Sequence, residues 1–200
     1  MKPPLDAILL AAGQSRRMGY PKPLLRVGGE TFLSQSIKSI LSVLPRVIVV
    51  LGAHAARIRA GIASDSRIVV VDNPDWPAGQ LSSLKAGLSA VDTEAAGVLV
   101  HLADHPLVRR ETFERVIERF AQGCGAIVIA RNAGKRGHPV IFARSVLREL
   151  IDAPADRGAK AVVDGDPSRV VYVDVDDPGV NLDLDTPADL LRAGLPAPPV

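Results

Sequence analysis

Short apolar runs recur along the chain at strand length: DAILLAA (6–12), RVIVVL (46–51), RIVVV (67–71), GVLVHLA (97–103), GAIVIA (125–130), HPVIF (138–142) and RVVYVDV (169–175). Most are continuous rather than alternating. Both faces of such strands are covered, as in a largely parallel sheet lying between helices. Between the runs the period changes. In TFLSQSIKSILSVL (31–44), Leu33, Ile37, Ile40, Leu41 and Leu44 fall on one helical face, as do Phe113, Val116, Ile117 and Phe120 in ETFERVIERF (111–120). The alternation predicts an α/β chain: three layers, α/β/α, around a mostly parallel, mixed central sheet. At 200 residues it suits a single domain, expected over 1–193. The proline-rich end GLPAPPV (194–200) is expected to be a disordered tail.

Composition narrows the classes. Apolar residues make up 47% of the chain, enough for a large core, and 24 basic against 22 acidic residues leave a net charge of only +2. Bulk electrostatics therefore point to neither a nucleic-acid coat nor a membrane binder, and neither partner is expected. The sole cysteine, Cys124, rules out an internal disulfide framework and fits a reducing compartment. Two prolines and Asp6 interrupt the place where a signal peptide would begin its apolar region, so MKPPLDAILLAAG reads as a first strand and the cytoplasm is the default location.

The chemistry begins where that strand ends. LAAGQSRRMGYPK (10–22) passes from Leu10 through a small-residue turn, Ala11, Ala12 and Gly13, to Ser15, Arg16, Arg17 and Lys22. Small residues let backbone N–H groups approach an anion, and Arg17 and Lys22 can add charge against phosphate oxygens. The ordinary alternative is a solvated turn. Neither a Walker A sequence nor G-x-G-x-x-G is present, and the second strand ends in Leu51 and Gly52, without the acidic residue that would hold a dinucleotide ribose.

Acidic residues at strand ends are the candidate metal ligands. Asp104 follows GVLVHLA directly, with Pro106 fixing the next turn; it stands too early to cap the helix at 109–120. In NLDLDTPADL, a strand would put Asn181, Asp183 and Asp185 on one face. Asp185 or Thr186 is placed to cap the helix beginning at Pro187, which leaves Asp183 for a metal and Asn181 as its competitor. Gly79, Ser82 and Ser83 precede an apolar helical pattern and are ordinary cap residues, although a helix start also favours anions. Ser64-Asp65-Ser66 and Asp176-Asp177 read as solvated turns. Trp76 reads as a loop anchor that could also line a substrate pocket. The four histidines show no close metal-ligand spacing, and no serine or cysteine has a placed base.

LAAGQSRRMGYPKPLL resembles the opening signature L-A-A-G-x-S-x-R-M-G-x-x-K-x-L-L of the nucleotidyltransferases with a glycosyltransferase-A-like fold, in the branch containing molybdenum-cofactor cytidylyltransferase. GQLSSLKAGL (79–88), ADHP (103–106), GHPVIF (137–142), DRGAKAVV (156–163) and NLDLDTPADL (181–190) follow in the same order. The resemblance implies a Rossmann-like nucleotidyltransferase fold. It also implies that the loop from Leu10 to Lys22 holds a nucleoside triphosphate, with Arg17 and Lys22 on the phosphates. Asp104 then holds Mg²⁺ or Mn²⁺, and the segment of Gly79, Ser82 and Ser83 lies against the base. Lys22, Arg17 and Asp104 become the catalytic set, with Asp183 as second metal residue. His138, in GHP, borders the acceptor. His105, beside Asp104, departs from the Gln or Met common in relatives and is also placed on the acceptor side. Ala12 stands where guanylyl-transferring relatives tend to have glycine. The implied reaction transfers CMP from CTP to a phosphorylated acceptor such as molybdopterin, for delivery to a molybdoenzyme or its chaperone. The rivals are a sugar-phosphate nucleotidyltransferase and an accessory protein that binds without turnover.

Overall fold

The computed structural model describes residues 3–199; Met1 and Lys2 of the expected domain and Val200 of the expected tail lie outside the described residues. In chain order the elements are β1 (Leu5–Ala11), a short hairpin of β2 (Arg26–Val27) and β3 (Glu30–Thr31), α1 (Phe32–Leu41), β4 (Val47–Leu51), α2 (Ala55–Arg59), β5 (Ile68–Asp72), α3 (Gln80–Leu88), β6 (Gly97–Leu102), α4 (Arg110–Ala121), β7 (Ile127–Asn132), β8 (Lys135–Ala143), α5 (Arg144–Asp152), α6 (Lys160–Gly165), β9 (Val170–Asp174) and α7 (Pro187–Arg192). Seven strands form one sheet in the order β5-β4-β1-β6-β8-β7-β9. Every pairing in it is parallel except the two made by β8, so β8 alone runs against the rest.

Burial explains why the runs are continuous. All seven residues of β1 are buried. Ala7, Leu9 and Ala11 face one helical layer, with Leu33 and Ile37 of α1 and Phe113 and Ile117 of α4. Ile8 and Leu10 face the other, with Leu81 and Leu84 of α3 and Val146 and Leu150 of α5. Each large side chain so covered contributes about 1.5–3 kcal/mol, so an alternating pattern would forfeit one layer. The expected three-layer α/β fold is the one observed.

Two topological facts place the site. The strand order reverses at β1, with β4 on one side and β6 on the other, which opens a crevice beyond their C-terminal ends. Because β8 is reversed, its first residues, 135–138, reach that same edge of the sheet.

A third cluster joins the ends of the chain. Met18, Leu25 and Phe32 pack with Leu184 and Leu190, which clamps the C-terminal segment over the N-terminal loop. NLDLD is not a strand: Pro178–Asn181 is a turn of 3₁₀ helix and residues 182–185 are unpaired. The clamp, rather than sheet pairing, fixes this segment. Gly194 and Leu195, assigned from sequence to the tail, are tied back: Gly194 at φ 70° donates to Leu191 O at 3.0 Å, and Leu195 to Leu190 O at 2.8 Å, a Schellman closure. No helix among the described residues is long and apolar enough to cross a membrane.

Candidate active site

The site grows outward from β1. Ala12 O accepts from Ala53 N at 3.0 Å, which ties the loop to the end of β4. Gly52 lies beneath it. A Cβ there would stand 2.6 Å from Trp76 Cβ and 2.8 Å from Ala12 Cβ. No side chain, acidic or otherwise, can occupy this position while the loop packs as it does.

From Gly13 the chain leaves the sheet. Among the described residues, the backbone N–H groups of Gly13 to Arg17 donate to no protein acceptor. The loop bends at Ser15, whose φ of 56° is costly for a residue with a Cβ. Three bonds hold it there. Ser15 O accepts from Met18 and Gly19 N–H at 3.1 and 3.2 Å, and Ser15 Oγ accepts from Lys22 N at 3.0 Å. A Cβ on Gly13 would meet no protein atom within 4 Å, so the space above it belongs to the cleft. These free amides form a concave row that favours an anion.

Opposite the row stands a carboxylate pair joined by one ammonium. Lys22 Nζ donates to Asp104 Oδ2 at 2.8 Å and to Asp185 Oδ1 at 2.5 Å. Arg17 reaches the other oxygen of Asp185 at 2.8 Å. The Lys22 side chain is only 12% exposed, Asp104 and Asp185 about a third. Burial alone would lower the pKa of Lys22, but attraction to Asp104 and Asp185 outweighs it and holds the ammonium above its ordinary 10.5. Burial would likewise raise Asp104. The charge of Lys22 wins there, with smaller help from His105, and keeps the carboxyl below 3.8. By linkage the pairing stabilises the fold fully between those ordinary values. It is lost as pH falls through the lowered Asp104 pKa or rises through the raised Lys22 pKa.

A cleft of about 550 Å³ separates the amide row from these acids. Of the residues expected from sequence to hold a nucleotide, all but Ser82 line it. Ser82 is turned into its own loop, where its hydroxyl lies 2.8 Å from both Asp75 O and Gly79 O and accepts from Asn73 Nδ2. Gly79, at φ 107°, caps α3 without a side chain, and with Gln80 it presents the positive helix end to the cleft. Trp76 lines this cleft too.

The acidic assignments change. Asp185 does not cap α7: Thr186 and Asp189 form a complete capping box, which leaves the Asp185 carboxylate free to face Lys22. Asp183, the expected partner of Asp104, is exposed instead on the wall of a neighbouring cavity with Asn181. Asp177 is not a solvated turn. It is 2% exposed and accepts from Arg109 N, Thr112 Oγ1 and Gly179 N, which caps α4 from a distance. Gln14, given no role from sequence, also lines the cleft, as does Gln80 of the segment beginning at Gly79; for Gln14, a polar side chain flanking the motif residues was the available signal.

The neighbouring cavity, about 590 Å³, shares Leu10, Gln80 and Leu102 with the cleft. His105 and His138, expected from sequence on the acceptor side, both line it. Its floor is apolar, with Leu84, Ile129 and Phe142, and Lys135, Arg157 and Lys160 stand on its walls. Beneath it three imidazoles cluster, His101 with His105 and His138 at ring distances of 6.4 and 6.3 Å.

The MobA-like NTP transferase domain model matches residues 7–170 of this chain. The chain belongs to that family. The molybdenum cofactor cytidylyltransferase of Escherichia coli K12 is 33% identical over 94% of this chain and 95% of its own length. The nicotine blue oxidoreductase of Paenarthrobacter nicotinovorans is 29% identical over 95% and 96%. Among solved structures, Rv0371c of Mycobacterium tuberculosis H37Rv superposes with a TM-score of 0.84 at 31% identity, covering 96% of this chain and 98% of that one. The same protein in complex with manganese gives 0.78 at 31% identity, with 94% and 97% covered. The crevice of this NTP transferase domain is thus the place where free amides, two basic side chains and two carboxylates meet.

Proposed function

We propose that this domain transfers CMP from CTP to the phosphate of molybdopterin and releases pyrophosphate. One observation carries the reading: unpaired amides on one wall of a cleft face Asp104 and Asp185 on the other, with Lys22 bridging the two acids and Arg17 paired to Asp185, beside a second cavity large enough for an acceptor. The first wall suits a triphosphate. The second suits a hard cation, since Asp104 and Asp185 converge on a single ammonium and offer carboxylate oxygens of the kind Mg²⁺ or Mn²⁺ takes. Asp104 and Asp185, rather than Asp104 and Asp183, would hold it. When bound, the ion supplies charge neutralisation at the reacting phosphate.

The chain's own residues do the rest. The amides of Gly13 to Arg17 grip the outer phosphates. Lys22, anchored through its backbone N–H to Ser15, brings its ammonium to the charge that develops on the α-phosphate. Asp104 and Asp185 hold that ammonium in place before substrate arrives. A phosphate acceptor is already ionised, so it needs no general base; the site has no serine or cysteine paired with one.

Pyrophosphate release from each nucleoside triphosphate, with Mg²⁺ and either molybdopterin or a sugar phosphate, tests this. Release is expected with CTP and molybdopterin. A response to the sugar phosphate alone would reassign the acceptor, and nucleotide binding without release under any condition would make the protein a carrier. A redox role like that named for the Paenarthrobacter relative predicts oxidation of NADH or NADPH; Leu51-Gly52 at the end of β4, with no room for an acidic side chain, predicts none.

A further inference from the structure

His138 is the fourth residue of β8 and lines the second cavity, with its ring set by the backbone. Its Nδ1 lies 3.3 Å from Val100 O on the neighbouring strand β6. A carbonyl oxygen can only accept, so Nδ1 carries the proton of that bond. Nε2 makes no protein hydrogen bond and is not among the sealed, unpartnered atoms of the protein, whereas His101 Nδ1 is. It therefore opens on the cavity that His138 lines. Burial, and next to it the proximity of His105, push the His138 pKa down to about 4. The ring is neutral at physiological pH, and Nε2 presents a lone pair rather than a proton.

The rest of the cavity says what would meet that lone pair. Leu84, Ile129 and Phe142 give the cavity an apolar surface against which a flat ring can pack. Lys135, Arg157 and Lys160 stand on the walls without a carboxylate partner among the described residues, while Arg136 is held by Asp164. Asp183 is the single acid on the same wall. An anionic group is favoured there.

We propose that His138 is the specificity-determining residue of the acceptor cavity: its Nε2 is a fixed hydrogen-bond acceptor that selects an anionic, flat heterocycle through a ring or exocyclic N–H. The proposal rests on the acceptor reading given above and sharpens it from a named compound to a recognition rule. His138 takes no part in the transfer itself. It orients the acceptor so that its phosphate faces the cleft at Asp104.

Binding of a fluorescent pterin phosphate, neopterin 3′-monophosphate, to the full chain tests the rule without turnover. Wild type should bind it, and ribose 5-phosphate should not compete. His138→Leu should weaken binding about tenfold, the scale of one lost hydrogen bond, while CTP affinity stays unchanged. His138→Gln, which keeps an acceptor near the Nε2 position, should stay within about threefold of wild type. To avoid dependence on one variant's folding, wild type is also offered a probe with its ring and amino N–H groups methylated. That probe should bind about tenfold more weakly, and the discrimination should shrink in His138→Leu. Equal pterin binding by wild type and His138→Leu, no binding by wild type, or equal affinity for the methylated probe would each overturn the proposal. Binding that depends on residue 138 in a protein that releases no pyrophosphate with molybdopterin would instead reject the transfer reading and keep this one.

Discussion

The cleft and the adjoining cavity share a wall yet handle charge in opposite ways. In the cleft, charge is cancelled internally: one buried ammonium bridges Asp104 and Asp185, and Arg17 takes the remaining oxygen. In the cavity, three cations stand without acidic partners over apolar side chains, and His138 is kept neutral. The cleft is thus preorganised before its ligands arrive, because a positioned charge needs no rearrangement at the moment of reaction. The cavity instead presents cations that have no acidic partner among the described residues and so favour an anion. Changes in the first should fall on turnover, and changes in the second on acceptor affinity.

The largest effect should come from Asp104→Asn. It keeps the shape but removes an oxygen of the proposed cation site and half the hold on Lys22, so kcat should fall about 10³-fold or more and Tm at neutral pH should drop by about a few degrees. Lys22→Ala should lower kcat about 10²–10³-fold. It also leaves two carboxylates facing each other without a cation, so Mn²⁺ should bind the free protein more tightly, as read by electron paramagnetic resonance. Weaker Mn²⁺ binding would show that the acids are not the metal site. On the cavity side, Arg157→Ala with Lys160→Ala should raise the acceptor KM about tenfold, less at high salt, with kcat and the KM for CTP unchanged. A drop in kcat instead would erase the division of labour. Gly13→Ala is milder. Its Cβ meets only open cleft, so Tm should hold while the KM for CTP rises several-fold.

The smallest effect concerns the support of Asp185. Bonds from Thr186 and Arg192 depress the pKa of Asp189 from 3.8 to about 2. The α7 capping box therefore stabilises the fold above the ordinary carboxylate value and is lost as pH falls toward 2. Hydrogen exchange across that range should loosen the α7 amides before those of β8. Simultaneous loss would mean that α7 and the sheet form one cooperative unit.

Much of the fold was readable because buried parallel strands need continuous apolar runs, and these sit within a residue or two of the observed strands except at β8, which begins earlier. The loop from Leu10 to Lys22 was readable because a small-residue turn with basic side chains is local chemistry. The acids were harder. Asp183 and Asp185 have the same composition and nearly the same neighbours, and only the packing of Leu184 and Leu190 on Met18, Leu25 and Phe32 sends Asp185 to Lys22. Asp177 and Ser82 were misread for the same reason: their partners lie across a loop or in another element.

By itself, then, the sequence determined the layers, the strand and helix periods and the small-residue, basic loop after β1, since each depends on residues close together in the chain. Tertiary structure decided which carboxylate meets Lys22, which nitrogen of His138 faces the cavity and that Lys135, Arg157 and Lys160 surround one space. Those outcomes depend on elements more than a hundred residues apart at their extremes, brought to a common edge by the strand reversal at β1 and the inverted course of β8. No local pattern encodes such a distance; only the closing of the core does.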